Sequence, residues 1–544
     1  MFDQVRIALG CAQIREYDQT KSFHRDSEPL RFTMLAPLPA SRWDYDAAGH
    51  LLVRAGFGGS SAEIQELTDR GLQQSVEKLL SPATAQPTPP SWAYPASLRD
   101  LVDQIRSSTT PEEKVKARQA FNKANQEQMA QLIQWWTQQM TDTEAPLQEK
   151  MTLFWHGHFA TSATKVRPAY KMWLQNQTLR THALGNFGAL TKAISRDPAM
   201  LIWLDLANSR MEKPNENFAR ELMELFTLGE GHYTENDIKE SARAFTGYRI
   251  NPLDQEFRFV SNQFDPSIKV FMQKAGPWTG DQIIDIIIEQ PQCAKFIVNK
   301  VWRFLAYEDP DAALVDALAA KFREAHYEIK PLLRTIFRSE EFYSDRAKET
   351  IKSPVQYLVQ ARRSLGVYVP EGRALVNIYR QLGQIPFYPP NVKGWDGGKS
   401  WINTGTLTYR YQLARALISG IRPEQVGLPK FPPKAVASPS RRAEEQNGPA
   451  MTQANLAASP EPTATPFPPL TSPWPVERFV NTEDRKDANR LFEKLYAQIF
   501  QSKPQADLLK KFIEVAAAKP MPLDDASIRD LVALMMTTPN YQVS

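Results

Sequence analysis

An all-α fold follows from three observations on this 544-residue chain. Apolar residues recur at helical spacing through most of its length, strand-type alternation is scarce, and several apolar runs open on capping residues. The expected architecture is a large, irregular multi-helix body with a few short strands or hairpins and a disordered Pro-rich insert. The chain is 42% hydrophobic and 23% charged, which suits a globular protein with ample length for a large core. The formal charge of +4 is nearly balanced, with no basic stripe of the kind nucleic acid requires. Cys11 and Cys293 are too few and too far apart for a disulfide framework or a zinc spacing.

Residues 1–42 are the least patterned part and are expected to be poorly ordered. Their apolar run is broken by charge, unlike a secretory signal, and no stretch reaches the roughly 18 apolar residues of a membrane span. Taken as written, the chain reads as cytoplasmic. The main helical body is expected over 43–421. Helices are read at 47–58 and at 61–81, the second capped by Ser60 or Ser61, followed by a Pro-rich connector from Pro82 to Pro95. Amphipathic patterns continue at about 97–106, 111–141, 145–157 and 179–196. Thr234 with Asp237 reads as a capping-box variant. The extended segment is expected at 256–265, and a helix pair breaks near Pro291. Helices then run to Gly366, from Gly372 to Leu382, and from Asn403 to Ser419. The segment 422–476 holds thirteen prolines and hardly any periodic residue, so a disordered insert is assigned to 422–480. Residues 481–544 return to helices, expected to dock on the main body because LVALMMTTPNYQ (531–542) echoes LLRTIFRSEEFY (332–343).

Three polar groups could carry chemistry. The first lies in PNENFARELMELFTLG (214–229). On one continuous helix, Asn217, Arg220, Glu221, Glu224 and Thr227 fall in a stripe about a third of a turn wide, and the remaining circumference is apolar. Such a helix is expected to be buried, with its charges paired internally or lining a cavity. The second is FWHGHFATS (154–162), where Gly157 would permit a turn that brings His156 and His158 together. His-x-His is a common metal-ligand spacing, although buried histidines bonded to backbone are commoner. The third is the loop 383–410. Its glycines allow tight backbone, Asn391 and Asn403 suit turns and caps, Trp395 and Trp401 offer stacking faces, and Arg410 follows on the next helix. A loop stapled down by its own aromatics fits the same residues. Asp205, Asn208 and Asp265 read as structural supports, and Lys352, Arg362 and Arg363 as a solvated face rather than a phosphate site. No P-loop, dinucleotide-binding glycine fingerprint, nucleophile elbow or H-E-x-x-H is present.

Taken in order, HLLVRAGFG, FWHGHFATS, DPAMLIWLD, NENFARELMELFTLGEGHYTENDIKESARAFTGY, FDPSIKVF, IKSPVQYLVQARRSLG, PFYPPNVKGWDGGKSWINTGTLTYR and TTPNYQ resemble a large bacterial family known as domain of unknown function 1800. The resemblance covers about 45–420 and resumes at the end of the chain. It implies an all-helical protein, frequent export, and a partner protein resembling alkaline phosphatases and sulfatases. It implies no activity. Many relatives carry histidine where this chain has Phe226 and Phe264, which counts against an obligatory metal at those positions.

Two functional classes follow. In one, the protein is a hydrolase acting on an extracytoplasmic glycan or a phosphate or sulfate ester. Asn217, Arg220, Glu221 and Glu224 are its catalytic candidates, His156 and His158 its ligands for a divalent metal, and Trp395, Trp401, Asn391, Asn403 and Arg410 its substrate contacts. In the other, the same residues brace a non-catalytic helical scaffold whose tryptophan loop binds a polysaccharide or the partner protein.

Overall fold

Helix starts are set locally, by side chains that satisfy the free N–H groups of the first turn. Capping boxes pair Ser60 with Glu63, Thr110 with Glu113, Thr234 with Asp237 and Asn403 with Thr406. Proline at the first helical position opens Pro111–Asp142, Pro146–His158, Pro291–Leu305 and Pro354–Leu365. The computed structural model describes residues 35–81, 86–94, 100, 103–251, 255–421 and 473–544. Helices dominate these, as expected. No helix among the described residues is long and apolar enough to cross a membrane.

The expected N-terminal segment lies outside the described residues through 34, and the Pro-rich insert through 472. The described ends of both assigned spans pack against the body. The Leu38 amide donates to the Arg338 carbonyl at 2.8 Å, and Trp474 is buried with its indole N–H on the Leu365 carbonyl at 2.8 Å. The continuous helix expected over 179–196 is instead two, Ala169–His182 and Phe187–Ser195, with Asn186 capping the second. Strand β1 (Tyr248–Ile250) pairs antiparallel with β2 (Phe257–Phe259), which lies within the segment 256–265 read as extended; Ser261–Gln263 of that segment form a short 3-10 helix instead. A second hairpin, β3 (Lys269–Phe271) with β4 (Lys274–Gly276), was not anticipated. It turns through Met272 and Gln273, both at positive φ, the geometry of a tight two-residue hairpin loop.

The core falls into two apolar clusters. One gathers Tyr45–Ala55, Glu216–Glu224, Gly280–Glu289, Pro291–Leu305 and Ile329–Arg338. The other joins the C-terminal half of Pro111–Asp142 to Pro354–Leu365, Gly372–Leu382, Thr404–Ser419, Ala488–Phe500 and Asp525–Met536. The C-terminal helices therefore pack into the main body. Pro146–His158 lies on the seam, giving Leu147, Met151, Phe154 and Trp155 to the first cluster and Leu153 to the second.

Buried charges cross between distant segments. Glu149 and Arg180 form a buried ion pair with bonds of 2.6 and 3.0 Å, and Trp136 donates to the same carboxylate at 2.9 Å. Arg54 closes the C-terminal end of Pro291–Leu305. Its guanidinium donates to the carbonyls of Phe304, Leu305 and Ala306 at 3.1, 2.6 and 3.1 Å, and to Ser544 Oγ at 2.8 Å. These carbonyls have no acceptor role inside the helix, so a cation at that end satisfies both bonding and dipole.

Candidate functional site

The helix carrying the carboxylates is shorter and more exposed than expected. It spans Glu216–Glu224, after which the amides of Leu228 and Gly229 both return to the Met223 carbonyl and Gly229 takes a φ of 86°. Leu225, Phe226 and Leu228 thus lie beyond the helix and cannot be projected onto its circumference. The nine helical residues that remain bury only Phe218, Ala219, Leu222 and Met223. The polar stripe is the outward face of an ordinary amphipathic helix: Asn217 is exposed, while Arg220, Glu221 and Glu224 are half-buried. This corrects the expectation of a wholly buried stripe.

Arg220 is paired as expected. Its two terminal nitrogens donate to the two oxygens of Glu235 at 2.9 and 3.0 Å, a bidentate bond that raises its pKa above the ordinary value. Glu224 accepts the Tyr233 hydroxyl at 2.6 Å, and burial together with that carboxylate raises the phenol above its usual range. Glu221 differs: burial and then the nearby Glu224 push its carboxyl up to about 7, against the opposing pull of Arg220 and Lys393. One half-buried acid that titrates near neutrality beside a second carboxylate is the arrangement that lets one group give a proton while the other takes one.

His158 meets the chain just after this helix, at the Phe226 carbonyl, whereas His156 contacts Trp136, Phe387 and Trp395. The chain stays helical through His158, so Gly157 makes no turn and the two rings diverge. His156 faces the second core cluster, 5.1 Å from Trp136 and 5.8 Å from Trp395. It accepts the Phe387 amide on Nε2 at 3.0 Å, which leaves its proton on Nδ1. Phe387 has a φ of +67°, rare for a bulky residue, and this bond helps hold that conformation. His158 faces the first cluster. Its Nε2 lies 3.0 Å from the Phe226 carbonyl and its Nδ1 3.4 Å from the Lys300 ammonium. Lys300 also donates to the Leu225 carbonyl at 2.9 Å. Together His158 and Lys300 clamp the carbonyls that follow Glu216–Glu224, a favourable place for a cation. Burial pushes His156 down to about 3 and His158 well below its usual value, while Lys300 falls to about 8. Each imidazole lone pair is occupied, one by an N–H and the other by an ammonium. Among the described residues no group of three or more His, Cys, Asp and Glu could hold a metal ion. The donor geometry does not fit the expected metal site.

The tryptophan loop approaches from the other side. Asn391 Oδ1 accepts the Lys393 amide at 2.9 Å, and Gly394, at a φ of +83°, passes so close that an added Cβ would lie 2.3 Å from the Gly157 carbonyl. That contact sets Trp395, half-buried, beside His156, and brings Lys393 within electrostatic reach of Glu221. Trp401 is buried and offers no free face, while Asn403 caps Thr404–Ser419. Arg410 is fully buried and bonds to the Lys352 carbonyl, in a cluster with the C-terminal residues rather than with the carboxylates. Lys352, read as solvated, is buried, and Arg363 is half-buried with its guanidinium engaged: it donates to the Gly58 carbonyl at 2.8 Å and the Thr141 carbonyl at 2.7 Å. A helix N-terminus and an Arg-Arg pair resemble a surface in sequence, and only tertiary packing distinguishes them.

A family model described as Protein of unknown function (DUF1800) matches residues 50–543. The chain belongs to that family. No curated protein and no solved structure matches it. The match takes in every site residue of this DUF1800 chain, from His156 to Arg410. Tyr233, Lys300 and Lys393 were missed by the sequence reading. Tyr233 stands directly before the Thr234 cap and Lys393 inside the tryptophan loop, so their positions were in view; their partners come from other elements and leave no periodic trace.

Proposed function

We propose that the Glu221–Glu224 face is the acid/base centre of a hydrolase that cleaves a glycan. The observation that carries this reading is the Glu221 carboxyl, held near neutrality by burial and by Glu224. Glu221 gives its proton to the glycosidic oxygen as the C–O bond breaks. Glu224, oriented by Tyr233, takes a proton from the water that adds at the anomeric carbon. A neutral glycan suits the face better than a phosphate or sulfate ester. Two carboxylates oppose an anionic substrate, and Arg220 is already committed to Glu235. Trp395 offers a partly exposed ring for stacking a sugar. An extracytoplasmic setting and a phosphatase- or sulfatase-like partner come from family resemblance alone.

A non-catalytic scaffold that binds polysaccharide is favoured by a different observation: His156, His158 and Arg220 are all engaged in holding the fold. Reducing-end release from a panel of neutral polysaccharides separates the two. The enzyme reading expects turnover that falls at least a hundredfold in Glu221→Gln, and that in the parent declines as pH rises through about 7, where Glu221 loses its proton. Binding without any turnover would install the scaffold in its place.

A further inference from the structure

Away from the carboxylate face, two cations are buried together with no anion beside them among the described residues. Lys352 precedes the Pro354–Leu365 helix and Arg410 lies within Thr404–Ser419; they keep 3% and 0% of their surface. Arg410 donates to the Lys352 carbonyl at 2.8 Å and reaches Gln542 Oε1 only at 3.4 Å. Both charges rest on one tyrosine pair, Tyr357 and Tyr541, whose rings meet edge to face at 5.5 Å. The Lys352 ammonium is 4.0 Å from the Tyr541 ring centre, and the Arg410 guanidinium 5.2 Å from that of Tyr357.

This arrangement leaves charge and bonding unsatisfied. Burial lowers Lys352 to about 7 and Arg410 to about 10, with Arg410 adding to the fall at Lys352, and no carboxylate among the described residues counters either. The Arg410 Nε and the Tyr541 hydroxyl are buried with no hydrogen-bond partner among the described residues. A ring face returns far less than the loss of hydration costs a cation, and unpaired buried donors are uncommon enough to need a cause. Lys352, Arg410 and Tyr541 are all buried, so an anion that reaches them must be compact.

We propose that Lys352, Arg410 and Tyr541 hold a halide-sized inorganic anion, which ties the C-terminal residues 541–542 to the helices that follow Lys352 and contain Arg410. Such an anion would accept the free Nε–H, the ammonium and the hydroxyl while supplying the missing negative charge. The site is independent of the glycan reading.

Crystals of the full chain grown in sodium bromide test it by anomalous scattering, alongside melting in millimolar chloride against gluconate at equal ionic strength. The expected results are a bromide peak in contact with Arg410 Nε and Lys352 Nζ, and a higher melting temperature in chloride. Lys352→Met should need at least tenfold more chloride for the same shift; if that variant fails to fold, the parent's chloride–gluconate difference still decides. No peak at this position, or equal melting in both salts, overturns the proposal. A peak at molar bromide with no response to millimolar chloride marks an adventitious ion only, and overturns it too.

Discussion

Replacing Glu221 by glutamine should stabilise the protein above neutral pH and leave it unchanged in mild acid. The folded carboxyl keeps its proton up to about 7, whereas an ordinary one loses it near 4.5. Between these values the folded state binds the extra proton, so stability falls as pH rises and the loss is complete above about 7. A rise from 4.5 to about 7, at about 1.4 kcal/mol per tenfold change, sets a ceiling of roughly 3.5 kcal/mol. Glu221 retains solvent contact, and screening brings the expected loss to about 1–2 kcal/mol. Glutamine has no proton to lose and avoids it. A chain of this length shifts by only about 1 °C per kcal/mol, so the assay is the variant-minus-parent melting difference at pH 5, 6.5 and 8. It should grow from near zero to about 1–2 °C. A difference independent of pH would show that Glu221 is an ordinary surface carboxylate, and the acid/base reading would lose its foundation.

Acid should act with the opposite sign at the imidazoles: His50 and His156 stay neutral down to about 3 in the fold against 6.5 ordinarily, so their contribution is lost as pH falls below about 6.5. Circular-dichroism melts that do not weaken between pH 7 and 4 would contradict this. Arg180→Met strands Glu149 in the core and should cost about 3–5 kcal/mol in urea unfolding, whereas adding Glu149→Gln should recover part of it; equal losses would mean that the charge is not the cause. Gly394→Ala forces a Cβ onto the Gly157 carbonyl at positive φ and should cost about 1–3 kcal/mol with a change in Trp395 fluorescence. Gly397→Ala, also at positive φ but with open space around it, should cost less; the reverse order would refute the contact.

Local signals were legible and tertiary ones were not. The Thr234 cap, the Pro291 break and the start of the helix after Asn403 are each decided by two or three neighbouring residues. The stripe from Asn217 to Thr227 was misjudged because its apolar count included Leu225, Phe226 and Leu228, which lie beyond the helix end at Glu224. Helical spacing says where a side chain points only while the helix lasts. The pairing of His156 with Phe387 and of His158 with Lys300 joins residues more than a hundred positions apart, beyond the reach of any periodic pattern. In loop 383–401 it is Lys393 that comes within electrostatic reach of Glu221, while Trp401 is buried.

The Arg54 clamp has a bearing on how this protein is made. Its guanidinium waits for carbonyls at 304–306 and for Ser544, 490 positions later, and the neighbouring Gly49 packs directly on the Gln501 backbone. At about 5–20 residues per second, a ribosome needs roughly 25–100 s to deliver the last of these partners. The Ser61–Arg70 helix, made directly afterwards, can cover part of the Tyr45–Ala55 helix early, but the nine residues destined for burial there are not fully enclosed until the distant partners arrive. A helix near the start of the described residues is thus among the last to be fully secured.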